Sequence, residues 1–407
     1  MPNIEKNNSI SPGVAVTGMG IISAIGNSLE SNLQSLRSST SGLGEITHIA
    51  TKHAAEIKVG EVSFTNAQMI AHLGLPELNN YSRTALLGVI AAKEAIRNAG
   101  IVEMTSVKTG LISATTVGGM DLTEQYLKQF VSQPQLQKYI SAHQASDSTQ
   151  KIAEQLGIKD FVTTISTACS SSANAIMLGA RMIKAGKLDR VIVGGTDSLA
   201  KFTINGFKTL MILSDTYCKP FDANRTGLNL GEAAAYLVLE SDAIVQAQQK
   251  KVWAYVSGYG NANDAFHQTA SSPTGEGAFL SMQGALELAG LQPNDIDYVN
   301  AHGTATANND LSESIALQRI FLEKTPDFSS TKPFTGHTLA AAGAVEAVYS
   351  ILALQHAIVF PNLNFSEPMP ETGMVPSVEL QQKQLQHVLS NSFGFGGNCS
   401  SLIFTRA

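Results

Sequence analysis

The stretch Ser166-Thr167-Ala168-Cys169-Ser170-Ser171-Ser172-Ala173-Asn174-Ala175-Ile176 joins two different patterns. Before it, Phe161-Val162-Thr163-Thr164-Ile165 has the β-branched and aromatic composition of a strand. After it, Ala173, Ile176, Met177, Ala180 and Ile183 recur at helical spacing as far as Gly186, where a left-handed cap favours glycine. The stretch is therefore a strand-to-helix turn that holds one cysteine. Unpaired backbone N–H groups and the positive end of the helix dipole are expected to favour thiolate over thiol there. Small neighbours leave room for a bulky substituent on sulfur. A small residue buried in a helix–sheet contact would read the same way, so the cysteine alone decides nothing.

Moving outward, the chain repeats this architecture. Ala15–Gly20 (AVTGMG) has a counterpart in Tyr255–Gly260 (YVSGYG), each an apolar strand running into Gly-x-Gly. Ala95–Ile101 (AIRNAGI) resembles Ala285–Leu291 (ALELAGL), each closing a helix at a glycine, and each is followed by a short apolar strand, at Thr109 and Asp297. The turn at Cys169 is matched by Phe334-Thr335-Gly336-His337, which precedes the apolar helix LAAAGAVEAVYSILALQHA. Three correspondences in the same order predict a duplicated β/α architecture, with layered sheets and helices buried between them. The junction is expected between Glu240 and Trp253, giving halves 1–245 and 246–407. No Gly/Ser linker occurs there, so the halves are expected to pack tightly.

Composition sets limits. The 407 residues are 43% hydrophobic and 15% charged, as in a globular protein with a large core. A net charge of −6 without any Lys/Arg run argues against nucleic acid as a partner. The start is polar and no apolar run approaches bilayer-spanning length, so neither targeting nor membrane insertion is expected. Cys169, Cys218 and Cys399 lie far apart and form no disulfide framework, which suits a reducing cytoplasm.

Two of the nine histidines occupy strand-to-helix turns of the second half: His302, in VNAHGTATAN, and His337. Sites in open α/β sheets form beyond the carboxyl ends of strands, and one cysteine with two separated histidines suits thioester chemistry. Their spacing is poor for a metal, so none is expected. Lys332 precedes His337 by five residues. Glu346 stands on an otherwise apolar helix, where burial would demand a partner, and Lys332 is the nearest plausible cation. The loop NSFGFGGN brackets Phe393 and Phe395 with glycines. It reads either as a tight hairpin or as a segment able to bring a backbone N–H, or a swinging ring, to a reacting carbonyl.

Taken together, TACSSS at Thr167, VNAHGTAT at Val299, STKPFTGHTLAAAGAVEA at Ser329 and NSFGFGGN at Asn391 resemble the elongating β-ketoacyl-acyl-carrier-protein synthases of the thiolase superfamily. The resemblance runs from Val14 to Phe404. It implies a five-layered α/β/α/β/α fold of two related halves, and a two-step acyl transfer with loss of CO2. It also implies Cys169 as the nucleophile that takes the acyl chain from acyl carrier protein. His302 and His337 would promote decarboxylation of the malonyl thioester and stabilise its enolate. The N–H groups of Cys169 and Phe395 would form an oxyanion hole, and the Phe395 ring would be the gate. Lys332 and Glu346 match the family's active-site lysine and nearby glutamate, with Phe393 in support. Thr304 and Thr306 match threonines that contact the phosphopantetheine arm. That arm travels on the carrier, so no cofactor of the chain's own is implied.

The implied assembly is a homodimer, or a heterodimer with a chain-length factor. Carrier protein is acidic, which calls for a local basic patch, and Lys201, Lys208 and Arg225 are candidates. A chain-starting synthase would carry asparagine in place of His337. A thiolase would place a second reactive cysteine near the C-terminus, where Cys399 is out of position. A chain-length-factor-like subunit, the alternative reading, would lack the nucleophilic cysteine. Arg225–Ala235 (RTGLNLGEAAA) departs from the family pattern, which more often has an acidic residue after the arginine. That segment is expected to stand apart from the chemistry. It leaves open whether the pathway is ordinary fatty-acid synthesis or specialised polyene or polyketide-type assembly.

Overall fold

The computed structural model describes residues 13–322 and 324–407; the polar opening Met1–Ile10 lies outside them. The main strands are β1 Val14–Ser23, β2 Thr109–Ala114, β3 Phe161–Ile165, β4 Arg190–Asp197 and β5 Ala233–Glu240, then β6 Ala254–Asn263, β7 Tyr298–Asn300, β8 Asp327–Ser329, β9 His387–Phe393 and β10 Asn398–Arg406. In space the first five lie in the order β1-β5-β4-β2-β3 and the second five in the order β6-β10-β9-β7-β8. Pair directions repeat as well. β1–β5 and β5–β4 are antiparallel, whereas β4–β2 and β2–β3 are parallel. The same sequence of directions recurs through β6, β10, β9, β7 and β8. The duplication read from three short correspondences thus extends to every main strand.

The helices fill the layers between and outside. α1 (Arg83–Asn98) and α2 (Ala145–Leu156) cover one outer face, and α4 (Glu276–Ala289) and α5 (Ala307–Phe321) the other. Between the sheets lie α3 (Ser171–Lys184) and α6 (Ala342–His356), which touch strands of both halves. This is the α/β/α/β/α order. The sheets are not separate, however. Val14–Val16 pair antiparallel with Ala254–Val256, because β1 and β6 each open a half at its free edge and meet there.

A helix between two sheets must be apolar all round. Contrary to the sequence reading, one segment, Leu339–His356, is long and apolar enough to cross a bilayer, yet 89% of it is buried, which marks a core helix. Its start packs very closely on α3: a Cβ on Gly343 would lie 2.8 Å from the Ala173 nitrogen. Only glycine lets the two inner helices bring their first turns together there.

Candidate active site

The turns after β3, β7, β8 and β9 converge because all four are the parallel-paired strands of their halves. In the β3–α3 turn, Ala168 takes a left-handed φ of 52°, which lifts Cys169 off the strand direction. The three serines then satisfy the bent backbone. Ser170 Oγ shares its one proton between the Thr167 carbonyl (2.8 Å) and Asn398 Oδ1 (2.7 Å), Ser171 Oγ accepts from Thr167 N–H and donates to the Ala168 carbonyl, and Ser172 Oγ accepts from Ala344 N–H of the facing helix. Cys169 is buried, with its Sγ 3.0 Å from His337 Nε2.

His337 reaches that place differently from the sequence expectation. The equivalence with Cys169 places it at a helix start, but the helix proper begins at Ala342, after a 3-10 turn over Leu339–Ala341. His337 is instead pinned like a strand residue. Its N–H donates to the Asn229 carbonyl (2.7 Å), and its own carbonyl accepts from Gly231 N–H (3.0 Å). The unusual segment Arg225–Ala235 is thus part of the site's framework, contrary to its reading as a bystander.

The second imidazole stands edge-on to the first, with ring centroids of His302 and His337 5.4 Å apart and planes at 86°. Phe393 tilts against His302 at 5.6 Å. Lys332 Nζ donates to Glu346 Oε1 and to the His302 carbonyl, and lies 3.2 Å from His302 Nδ1. Lys332 and Glu346 are both buried. An ammonium has only protons to offer, so Nδ1 accepts and the His302 proton belongs on Nε2. His337 Nδ1 is buried without a partner among the described residues. A bare lone pair costs less there than a bare N–H, so its proton also belongs on Nε2. Two Nε2–H donors result.

Burial, then the positive charge of Lys332, holds both imidazoles well below the ordinary histidine value, and His302 is lowered further by His337. Both are neutral at physiological pH. The thiol departs from expectation: burial pushes Cys169 up to about 12, outweighing the downward pull of Lys332 and of the Phe395 N–H. Desolvation exceeds the helix-start effect because Cys169 is almost wholly buried. Burial also pushes Glu346 up to about 7, against the pull of Lys332.

Phe395 is half-buried and its ring stacks on Phe207, centroids 6.0 Å apart and planes at 21°. The glycine before it is obligatory, since a Cβ on Gly394 would meet the Thr167 carbonyl at 2.8 Å and the Cys169 nitrogen at 3.1 Å. Thr304 and Thr306 hydrogen-bond to each other at 2.8 Å. Cys169, His302, His337, Thr304, Thr306, Phe393 and Phe395 line one cavity of about 290 Å³, with Cys399 also on its wall. Cys399 sits on a strand opposite Phe393 rather than at a turn, and burial raises its thiol too.

Several contributors escaped the sequence reading. Glu313 accepts from the N–H groups of His302 (2.9 Å) and Gly303 (2.8 Å) and so fixes that turn; burial pushes it up to about 7. Asp310 accepts from Ala305 and Phe221 N–H, and Asp197 from Thr115, Thr116 and Ala340. The signal for the first two was present: Asp310 and Glu313 are one turn apart on the face of α5 that also carries Leu317. Of the basic candidates, Lys208 pairs with Glu56 at 2.8 Å. Arg225 donates to the carbonyls of Asp222, Thr306 and Ala307, holding the threonine loop rather than reaching outward. Lys201 alone is exposed and outside any ion pair among the described residues.

Comparison with known proteins agrees with this geometry. The β-ketoacyl synthase N-terminal domain profile matches residues 11–243, and the C-terminal domain profile residues 253–366. The chain belongs to the β-ketoacyl synthase family. A 3-oxoacyl-[acyl-carrier-protein] synthase 2 of Staphylococcus aureus (strain COL) is 34% identical over 97% of this chain and 98% of its own. Among solved structures, the ishigamide ketosynthase/chain length factor superposes with a TM-score of 0.90 at 29% identity, covering 97% of this chain and 99% of that one. The ketosynthase ApeO, in complex with its chain length factor ApeC from Xenorhabdus doucetiae, gives 0.85 at 32% identity with full coverage of both. This β-ketoacyl synthase is thus a thiolase-like acyltransferase, and the repeated strand order is that fold's two halves.

Proposed function

We propose that this β-ketoacyl synthase elongates an acyl chain on Cys169 by decarboxylative condensation with a malonyl group, both delivered by acyl carrier protein. The observation that carries the reading is the 3.0 Å approach of Cys169 Sγ to His337 Nε2, with His302 edge-on beside it. In the first step Sγ attacks the acyl thioester of the carrier's arm. The oxygen that becomes negative would be met by the N–H groups of Cys169 and Phe395. The thiol proton ends on the departing sulfur of the arm. A thiol near 12 is almost wholly protonated at rest, so thiolate forms only at the moment of attack, with the Phe395 N–H, His337 Nε2–H and Lys332 charge acting together against the cost of burial.

In the second step the two Nε2–H groups hold the carbonyl oxygen of the malonyl thioester. The carboxylate leaves as CO2, and its bonding electrons pass into the enolate. The enolate carbon attacks the acyl-Cys169 carbonyl; sulfur leaves and takes up a proton. Neutral imidazoles suit this role, since they donate without neutralising the carboxylate that must depart. Thr304 and Thr306 on the cavity wall would take the carrier's arm, and no cofactor of the chain's own is required.

The presence of Cys169 with both histidines favours a working synthase over a chain-length-factor-like subunit. A pair of such chains is expected to form along β3, whose outer edge carries no strand and whose five side chains are all only half-buried. We favour a homodimer in the cytoplasm, where the three unpaired cysteines would stay reduced. Incubation with acyl carrier proteins of graded chain length, followed by intact-mass and peptide analysis, tests the reading. Acylation of Cys169 supports it; transfer to Cys218 or Cys399 refutes it.

A further inference from the structure

The acyl-transfer step needs two N–H groups from segments more than 200 residues apart to converge on one oxygen. The Phe395 amide belongs to a glycine-rich loop with little intrinsic stiffness. Its backbone is tied at Gly396 to the Gln268 carbonyl and at Gly397 to Asp264 N–H. Toward Cys169 there is one side-chain anchor. Asn398, the residue that ends the loop, places its Oδ1 2.8 Å from Asn174 Nδ2, 3.0 Å from Asn261 Nδ2 and 2.7 Å from Ser170 Oγ. The two amide donors fix which atom of Asn398 is the oxygen. Ser170 and Asn174 flank the start of α3, so the donors move with the nucleophile. Asn174 in turn reaches Thr167 Oγ1 at 2.9 Å and accepts from Ser400 Oγ at 2.9 Å. Besides the Phe395 N–H that faces Cys169 Sγ, no other hydrogen bond to a side chain joins this loop to the Cys169 turn among the described residues.

We propose that Asn398 is a positioning residue for acyl transfer: three donors converging on its Oδ1 hold the Phe395 amide in register with Cys169. Asn398 does not line the cavity, so it acts through the loop and not on substrate. The inference rests on the two-step reading above. It also makes a distinction between the steps: the Nε2–H pair of His302 and His337 is held by Lys332, Asn229 and Glu313, none of which depends on Asn398.

The test uses the full chain and two single-turnover assays. Asn398→Ala is expected to slow acylation of Cys169 roughly 10- to 100-fold, the effect of a misplacement of about 1 Å. Its KM for acyl carrier protein and its CO2 release from malonyl carrier protein should stay near wild type. Asn174→Ala should slow acylation in the same sense, and the double variant should be no slower than Asn398→Ala alone, since both remove one connection. Equal loss of acylation and decarboxylation, multiplicative loss in the double variant, or wild-type acylation by Asn398→Ala would each overturn the assignment. Failure of the underlying reading would look different: wild type itself would not acylate Cys169.

Discussion

Replacing Lys332 by methionine separates what the buried cation does for stability from what it does for chemistry. The side chain is buried and its ammonium serves three acceptors: Glu346 Oε1, the His302 carbonyl and His302 Nδ1. Removing one partner of a buried ion pair costs about 3–5 kcal/mol where the other stays charged; Glu346, already raised to about 7, can instead take up a proton, so the full loss shows only at alkaline pH. Glu346 would keep only Ser392 Oγ at 3.4 Å. Adding Glu346→Gln removes the stranded charge, so Lys332→Met/Glu346→Gln should regain most of that loss. It should not regain activity. The hydrogen bond from a charged donor that selects the His302 tautomer is worth about 1.5–3 kcal/mol. At about 1.36 kcal/mol per tenfold, decarboxylation should fall roughly 10- to 150-fold in both variants.

Urea unfolding at fixed protein concentration and CO2 release from malonyl carrier protein read the two effects. The pH profile adds a third. Lys332 is a cause of the depressed His302 value, so its removal lets that value rise toward the ordinary 6.5. The neutral imidazole is the working form, so the variant should lose activity on the acid side at a higher pH than wild type. Recovery of decarboxylation in the double variant, or an unshifted acid limb, would refute the role given to Lys332.

Cys169→Ala should abolish condensation and leave no acylated species by intact mass, since among the described residues only Cys169 has a histidine nitrogen hydrogen-bonded to its sulfur. His302→Ala and His337→Ala should still form acyl-Cys169 yet lose about 10²–10³ in malonyl decarboxylation, the effect of deleting one oxyanion donor; near wild-type CO2 release by both would sink the paired role. In the wild type, the imidazoles should give decarboxylation no inflection near pH 6.5, because both titrate well below it, and any step near pH 7 should disappear with Glu346→Gln or Glu313→Gln. Phe395→Ala keeps the backbone donor and removes the ring stacked on Phe207, so acylation should survive while discrimination between acyl and malonyl carriers weakens. A loss of thermal stability with equal fractional loss of both rates would make that ring a packing element only.

The architecture was legible because it is written in local chemistry. Strand composition, helix-closing glycines and their repetition gave the duplicated layers, and polar residues at apolar turns gave Cys169, His302 and His337. Contacts between distant segments were not legible. Nothing at Asn229 signals that its carbonyl will accept from His337 N–H, because backbone groups carry no identity in sequence. Asn398 looks like an ordinary residue after a glycine turn until three donors meet on it. The helix-start argument for Cys169 had the right position and the wrong net sign, since periodicity cannot show that a sulfur will be enclosed. Arg225 and Lys208 looked like free cations for the same reason: their partners come from elsewhere in the chain.

Duplication explains why two unlike reactions share one cavity. β3 and β8 are equivalent strands, so the turns after them must approach each other; one carries Cys169 and the other His337. The turn after β7 carries His302, whereas its equivalent after β2 carries Thr115 and Thr116, tied down by Asp197. Symmetry therefore supplied the convergence, and under the proposed mechanism divergence made one half nucleophilic and the other hydrogen-bond donating. The two steps place opposite demands on protons: the first needs a thiol to lose one, and the second needs imidazoles that refuse one. A single positive charge serves both. Lys332 pulls Cys169 down, which favours thiolate, and pulls His302 and His337 down, which favours neutral rings. A buried anion in its place would raise all three and oppose both steps. The site therefore needs its lone buried cation more than it needs that cation's partner, and Glu346→Gln alone should be far milder in decarboxylation than Lys332→Met.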